Sequence, residues 1–374
     1  MTEPEPLQQI ERTYVRFHRR KLSYFAGCDY HRLASHPRVL AALRRGAERY
    51  GLNVAASRLT TGNHLLYGEL ETQLARFFAA ETATLVASGY ATNLVAAQAL
   101  AGNFSHALLD GSTHPSLADA ARFLDCPVLK FRHADPADLA ASVRRCGPQA
   151  RLLLLTDGMF SRDGAVAPLK EYLAALPSDA RLLVDDAHGA GVLGRTGRGT
   201  LEHAGVNRRR IIQTVTLSKA FGVYGGAILG SPKLRRRILD RSHLFAGSTP
   251  LPLPLVAAAL QAVRLLQSDS RFKQRLDNNA TFVKIALRAA GLAVPQNPGP
   301  IVALMPSHER AVATVRNTLL EAGIYPPYIH YPGGPSGGYF HFVISSAHSR
   351  RQLEGLVGVL GKVAHLFKVE KERE

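Results

Sequence analysis

From residue 83 onward the chain repeats one pattern, a short apolar run followed by a stretch with helical spacing. The runs are Ala83–Ala87, Ala107–Asp110, Pro127–Phe131, Arg151–Asp157, Arg181–Asp186, Ile211–Ser218 and Gly225–Gly230. Most are too short for helices, while Ala91–Leu100 and Asp135–Arg145 between them carry helical patterning. Such alternation predicts an α/β fold with a mostly parallel sheet, because parallel neighbours need a helical crossover to return the chain. Leu152-Leu153-Leu154-Leu155, apolar without alternation, suits a strand buried on both faces. The pattern changes after residue 245. Gly247 to Pro254 is a breaker segment, and a long helical stretch follows it to about residue 290. Strands are expected at Val302–Met305, Tyr328–Tyr331 and Tyr339–Ile344, with helices around 308–322 and 349–366. These elements divide the chain into an N-terminal arm over 1–45, a large α/β domain over 46–265 and a smaller α+β domain over 266–374.

Composition narrows the partners. Forty-six basic residues against 29 acidic ones leave a formal charge of +17 in 374 residues. Clusters such as Arg208-Arg209-Arg210 and Arg235-Arg236-Arg237 contribute to it. A charge of this size suits an anionic substrate, an acidic carrier protein or nucleic acid, and it also suits a merely solvated basic face. No zinc finger or aromatic RNA-binding strand is present, which disfavours nucleic acid. No apolar run reaches the length of a membrane span, and the first 25 residues have no signal-peptide core. The three cysteines, Cys28, Cys126 and Cys146, form no C-x-x-C, so a reduced, cytoplasmic setting is expected.

Gly189-Ala190-Gly191-Val192-Leu193-Gly194 fits the dinucleotide pattern G-x-G-x-x-G. Its context argues otherwise. Arg195 to Gly199 follows where an apolar helix should begin, and the strand Ile211–Thr216 ends without an acidic residue for a ribose. Just upstream, Asp185 and His188 stand three residues apart at the carboxyl end of a buried strand, where open α/β sheets bind ligands. An Asp there can also simply cap a helix. Lys219 closes the strand in Thr214-Val215-Thr216-Leu217-Ser218-Lys219, among small residues. A partly desolvated lysine becomes a nucleophile able to form Schiff bases, whereas a snorkelling one remains in water. The pair is what pyridoxal phosphate chemistry requires. The lysine holds the aldehyde as an imine, and the aspartate keeps the pyridine nitrogen protonated. Ser88-Gly89-Tyr90 supplies a strand–helix turn whose free N–H groups suit a phosphate, and Thr216 can add a hydroxyl. His114, after another strand end, is placed to stack on the ring or to serve structure alone.

The ordered set SGYATN, LLDGSTHPS, DGMFSRDGAVAPL, VDDAHGAGVLGRTGRG and TLSKAFGVYGG resembles the α-oxoamine synthases, with Gly51 to Gly62, His64 and Glu69-Leu70-Glu71 continuing the match upstream. The resemblance covers roughly residues 22–365 and implies a fold-type I pyridoxal 5′-phosphate transferase. It implies a mostly parallel seven-stranded sheet in a large domain, plus a smaller α+β C-terminal domain. Members join an acyl thioester, on CoA or a carrier protein, to a small amino acid with loss of CO2. They are homodimers with shared active sites. Carried over, Lys219 is the Schiff-base lysine and acid/base, Asp185 pairs with the pyridine nitrogen, and His188 and Ser161 meet the ring hydroxyl side. His114 stacks on the ring, Gly89, Tyr90 and Thr216 hold the phosphate, and Ser248 and Thr249 reach it from the other subunit. Ser57 falls within the family's glycine-rich substrate segment.

The departures concern charge and reach. Asp186 and Asp157 stand where the family has Glu, and Cys28 replaces an amide. The family's carboxylate-binding arginine, seven residues before the histidine of an Ala-His pair, is His341 here, and no arginine lies between Arg316 and Arg350. Losing an arginine fork costs about 1.5–3 kcal/mol of carboxylate binding. Three explanations remain: Arg12 or Arg16 supplies the grip, His341 binds as an imidazolium, or the donor lacks the usual α-carboxylate. The reading is an acyltransferase of 8-amino-7-oxononanoate synthase type. The alternatives are an aminotransferase working without thioester and a non-catalytic nucleic-acid binder.

Overall fold

The computed structural model describes residues 5–331, 334–335 and 337–368. The chain separates into two compact units. One comprises Met1–His36, Ser161–Ala165 and Arg271–Glu374; the other comprises Pro37–Phe160 and Val166–Ser270. The N-terminal residues up to His36 thus belong with the C-terminal segment, whereas the end of the expected arm enters the helix Pro37–Tyr50 of the other unit. That helix packs on the helix Leu253–Ser268, with Gly46 so close that a Cβ would meet the Ala257 Cβ at 2.9 Å.

The chain opens with a hairpin-connected sheet that the sequence pattern did not reveal: β1 (Gln8–Glu11), β2 (Tyr14–Phe17) and β3 (Arg20–Ser23), all antiparallel. The larger unit then supplies β4 (Thr82–Val86), β5 (His106–Asp110), β6 (Val128–Phe131), β7 (Leu152–Asp157), β8 (Arg181–Asp185), β9 (Ile211–Thr216) and β10 (Gly226–Gly230). They form one seven-stranded sheet in the order β4-β10-β9-β8-β7-β5-β6. Only β10 runs against its neighbours, β9 and β4; the other four pairings are parallel, and β4 and β9 on either side of β10 point the same way. The expected mixed but mostly parallel sheet is present.

Period-2 alternation explains its core. Ala107, Leu109, Leu153, Leu155 and Leu183 pack with Val95, Ala96 and Leu117 of the covering helices Gly89–Leu100 and Pro115–Ala121. Leu152, Leu154 and Leu182 are equally buried, so both faces are covered. Burial of each such side chain contributes about 1.5–3 kcal/mol before chain entropy is counted. Because β4, β5, β7, β8 and β9 point the same way, their carboxyl ends meet at one sheet edge.

The smaller unit holds β11 (Ile301–Leu304), β12 (Tyr328–Ile329) and β13 (Tyr339–Val343) in the order β11-β13-β12. Phe340, Phe342 and Ile344 enter a core with Val302, Leu304, Leu356 and Leu360, which leaves His341 on the opposite face of β13. The long helical stretch after the breaker is two helices, Leu253–Ser268 and Arg271–Ala289.

Candidate active site

At the carboxyl edge of the seven-stranded sheet lies a cavity of about 240 Å³. Asp157, Asp185, His188, Thr216 and Lys219 reach it from β7, β8 and β9 or just beyond, with Ser88, Gly89 and His114 after β4 and β5. Loop residues at strand ends are free to face inward because the strands themselves are fixed by packing on both sides.

Lys219 Nζ lies 2.6 Å from His188 Nε2. Behind them Asp185, 5% exposed, is held by three donors. Its Oδ2 accepts from Asn93 Nδ2 at 2.6 Å and from the Ser116 hydroxyl at 3.5 Å, while Oδ1 accepts from the Ala187 N–H at 3.0 Å. Asn93, fully buried, is itself oriented by the Thr214 hydroxyl donating to its Oδ1 at 2.7 Å. A carboxylate with this many donors keeps its charge in a buried site.

Asp157, the register partner of Asp185 on β7, behaves differently. Burial first, and then the charge of Asp185, push its pKa well above the usual carboxylate range, against the opposing bond from the His114 N–H at 2.8 Å. Burial and the neighbouring carboxylate thus disfavour the charged form of Asp157, whereas Asp185 has the donors that a carboxylate needs. The His114 ring accepts from the Ser116 N–H at Nδ1, 3.2 Å away, and burial lowers its pKa, so the imidazole is neutral with its proton on Nε2. Tyr90 meets that ring edge-on at 6.1 Å, and its hydroxyl donates to Asp119.

The rim on the β4 side is built for an anion. Ser88 caps the helix Gly89–Leu100 by accepting from the Ala91 N–H at 3.2 Å. Gly89 approaches Thr216 so closely that a Cβ would stand 2.7 Å from Thr216 Oγ1. Only glycine permits this approach, and it leaves the helix N-terminus open beside the hydroxyl. Pyridoxal phosphate fits this arrangement of amine, fixed carboxylate, neutral imidazole and anion cradle.

Asp186, next to Asp185, points away from the chemistry. It accepts from the Thr200 N–H and hydroxyl at 2.9 and 2.6 Å and from Gln213 Nε2 at 2.6 Å. Burial nevertheless pushes its pKa up to about 7. It fixes the Gly189–Gly199 loop: a Cβ on Gly199, where φ is +91°, would overlap Asp186 Oδ2. The G-x-G-x-x-G pattern is thus part of a carboxylate-pinned loop rather than the opening of a helix.

The remaining candidate residues lie elsewhere. Ser57 donates to the Ala246 carbonyl at 2.6 Å, and Ser248 donates to the Leu244 carbonyl; Ser248 and Thr249 are exposed and do not line the Lys219 cavity. In the smaller unit Arg12 donates to the His31 and Arg32 carbonyls, and Arg16 to Gln8 Oε1. His341 Nε2 donates to the Ser161 carbonyl at 2.8 Å, and burial lowers its pKa. A neutral, bonded ring is the opposite of the imidazolium that carboxylate binding would need. The same 161–165 segment carries Arg162, whose guanidinium lies 3.2 Å from Asp163. Asn93, Ser116 and Asp157 acquire roles that their residue types alone did not announce; the signal for them was their place at or just after strand ends.

The family model described as aminotransferase class I and II matches residues 25–360. The chain belongs to that family, in its α-oxoamine synthase branch. It is 35% identical over 346 residues to the 8-amino-7-oxononanoate synthase of Thioalkalivibrio sulfidiphilus, covering 92% of this chain and 88% of that one. With the enzyme of the same name from Trichlorobacter lovleyi it shares 35% identity over 364 residues, 96% and 93% of the two chains. Among solved structures, a serine palmitoyltransferase from S. paucimobilis with bound PLP superimposes with a TM-score of 0.91 at 26% identity, covering 97% and 93%. The expected fold type, cofactor and enzyme class stand: this is a pyridoxal 5′-phosphate-dependent acyltransferase of the α-oxoamine synthase type. Among the described residues no helix is long and apolar enough to cross a membrane.

Proposed function

We propose that the chain condenses a small α-amino acid with an acyl thioester and releases CO2 and free thiol, as an 8-amino-7-oxononanoate synthase does. The observation that carries this reading is Lys219 beside His188, in front of an Asp185 locked by Asn93, in a chain with the family's full motif series. Lys219 would hold the cofactor's aldehyde, Asp185 its ring nitrogen, His188 and Ser161 its hydroxyl side, and Gly89, Tyr90 and Thr216 its phosphate. Bound there, the cofactor supplies an electron sink for a carbanion at the amino acid's Cα.

The chain's own residues do the rest. Asp185, oriented by Asn93, Ser116 and the Ala187 N–H, would hold a proton on the ring nitrogen. Lys219 would remove and return the proton at the amino acid's Cα, with His188 in hydrogen-bond reach of its amine. His114, its charged form disfavoured by burial, would cover the ring face and offer its Nε2 proton to the oxygen that gains charge when the thioester carbonyl is attacked.

The donor's carboxylate requires a cation other than the arginine absent from β13. Arg12 and Arg16 donate to uncharged acceptors and so keep their charge for an anion, whereas burial disfavours an imidazolium at His341. Ser248 and Thr249, exposed in the single chain, fit a homodimer in which each subunit completes the phosphate site of the other. A cytoplasmic location accords with the unpaired cysteines.

The test is a product balance. With acyl-CoA or acyl carrier protein and a panel of alanine, glycine and serine, one donor should yield CO2 and thiol in equal amounts. Keto-acid formation without thiol release would make the chain an aminotransferase instead.

A further inference from the structure

The opposite edge of the seven-stranded sheet carries a second cavity, of about 310 Å³. It lies where β8 begins at Arg181, β9 begins at Ile211 and β10 ends at Gly230, so the sheet separates it from Lys219. Strands of five to six residues, at about 3.3 Å per residue, put roughly 15–20 Å between the two edges. Six cationic side chains line the cavity: Arg181, Arg208, Arg209, Arg210, Lys233 and Arg237. One carboxylate, Glu81, stands among them.

None of the six forms an ion pair among the described residues. Arg181 and Arg210 spend donors on main-chain carbonyls, which offer no neutralising charge. Arg208 donates to the Phe78 carbonyl and to Gln213, and its buried Nη1 has no acceptor among the described residues. Burial lowers the pKa of Arg208 to about 10, opposed by Asp186, which meets it only through the Gln213 amide. Arg209, Lys233 and Arg237 keep side-chain donors uncommitted. Convergent like charges in a concavity repel one another until an anion enters.

We propose that this cavity binds a small organic polyanion carrying two or more phosphate groups, of the nucleoside diphosphate class. Arginine forks match phosphate oxygens two at a time. The helix Pro232–Arg241 opens at the rim, capped by Ser231, and adds its positive end. Phe104, Ile212 and Leu234 form an apolar wall for the organic part. A flat basic face would suit an acidic protein; a concave recess with an apolar wall suits a small ligand. Because of the separating sheet, its occupant does not touch the reacting atoms, so the site is distinct from the thioester-binding role proposed above.

The experiment is isothermal titration of the cofactor-loaded protein, whose own phosphate cradle is filled, with ADP and with inorganic pyrophosphate at about 0.15 M salt. One saturable site per chain is expected, with an ADP Kd of about 10–100 µM. The double variant Arg209→Ser/Arg237→Ser should weaken it about tenfold or more while turnover stays unchanged. Absence of saturable ADP binding, or equal binding by the variant, would overturn the proposal. So would binding of an acidic polypeptide, lost in the variant, by a protein that ignores ADP and pyrophosphate.

Discussion

Replacing Asp157 and Asp185 one at a time by asparagine separates the two carboxyl groups that face each other across β7 and β8. Asp157 is held neutral by burial and by its neighbour's charge, so Asp157→Asn exchanges one uncharged group for another of the same shape. The His114 N–H keeps an acceptor, and both cofactor affinity and kcat/KM should stay within about threefold. Asp185→Asn removes the single negative charge of the site. A charge-assisted hydrogen bond of about 1.5–3 kcal/mol disappears, equivalent to a loss of about 10- to 150-fold in cofactor affinity. The asparagine also turns an amide toward Asn93 Nδ2, a donor that needs an acceptor. Titration of each apoprotein with pyridoxal phosphate, read by the visible band, gives the dissociation constants, and steady-state kinetics give kcat/KM. Equal damage from the two variants would refute the assignment of the charge to Asp185.

Further predictions concern single contacts. Gly89→Ala places a Cβ 2.6 Å from the Thr216 Cβ, so it should cost about 1–3 kcal/mol as a clash, seen as weaker cofactor binding and a lower Tm. For Asp186 the folded pKa, about 7, lies above the unfolded value near 3.8, so its contribution to stability is full at low pH and declines as pH rises toward 7. The difference in Tm between the protein and Asp186→Asn should therefore vary with pH over that window and level off above it; a difference constant with pH would contradict the raised pKa. Mixing Lys219→Ala with Thr249→Arg should restore activity that neither variant has alone if subunits share sites.

What could be read from the residues follows a physical division. The sheet was legible because β7 and β8 are buried on both faces and their apolar runs have no competing interpretation. β1 to β3 were not, because strands such as Gln8–Glu11 and Arg20–Ser23 are largely exposed and polar, and carry no apolar alternation. The split of the long helix at Asp269-Ser270 was likewise hidden, since a two-residue break hardly disturbs the apolar spacing around it. In the site, Lys219, Asp185, His188 and Gly89 were legible through position: each sits at a strand end, where a buried sheet exposes its chemistry. The charge state of Asp157 was not legible, because it depends on a neighbour 28 residues away that only the register of β7 and β8 brings alongside. The same is true of His341, whose pKa burial lowers, and of Arg208, whose Nη1 is buried without an acceptor among the described residues.

The central claim is that Lys219 performs a decarboxylative acyl transfer. Its most direct test uses a carboxyl-labelled amino acid and an acyl thioester with the cofactor-loaded protein, counting labelled CO2 and thiol together in the wild type and in Lys219→Ala. The account predicts one CO2 for each thiol in the wild type and neither product from the variant. Products formed by Lys219→Ala at the wild-type rate, or keto acid formed without thiol, would contradict it.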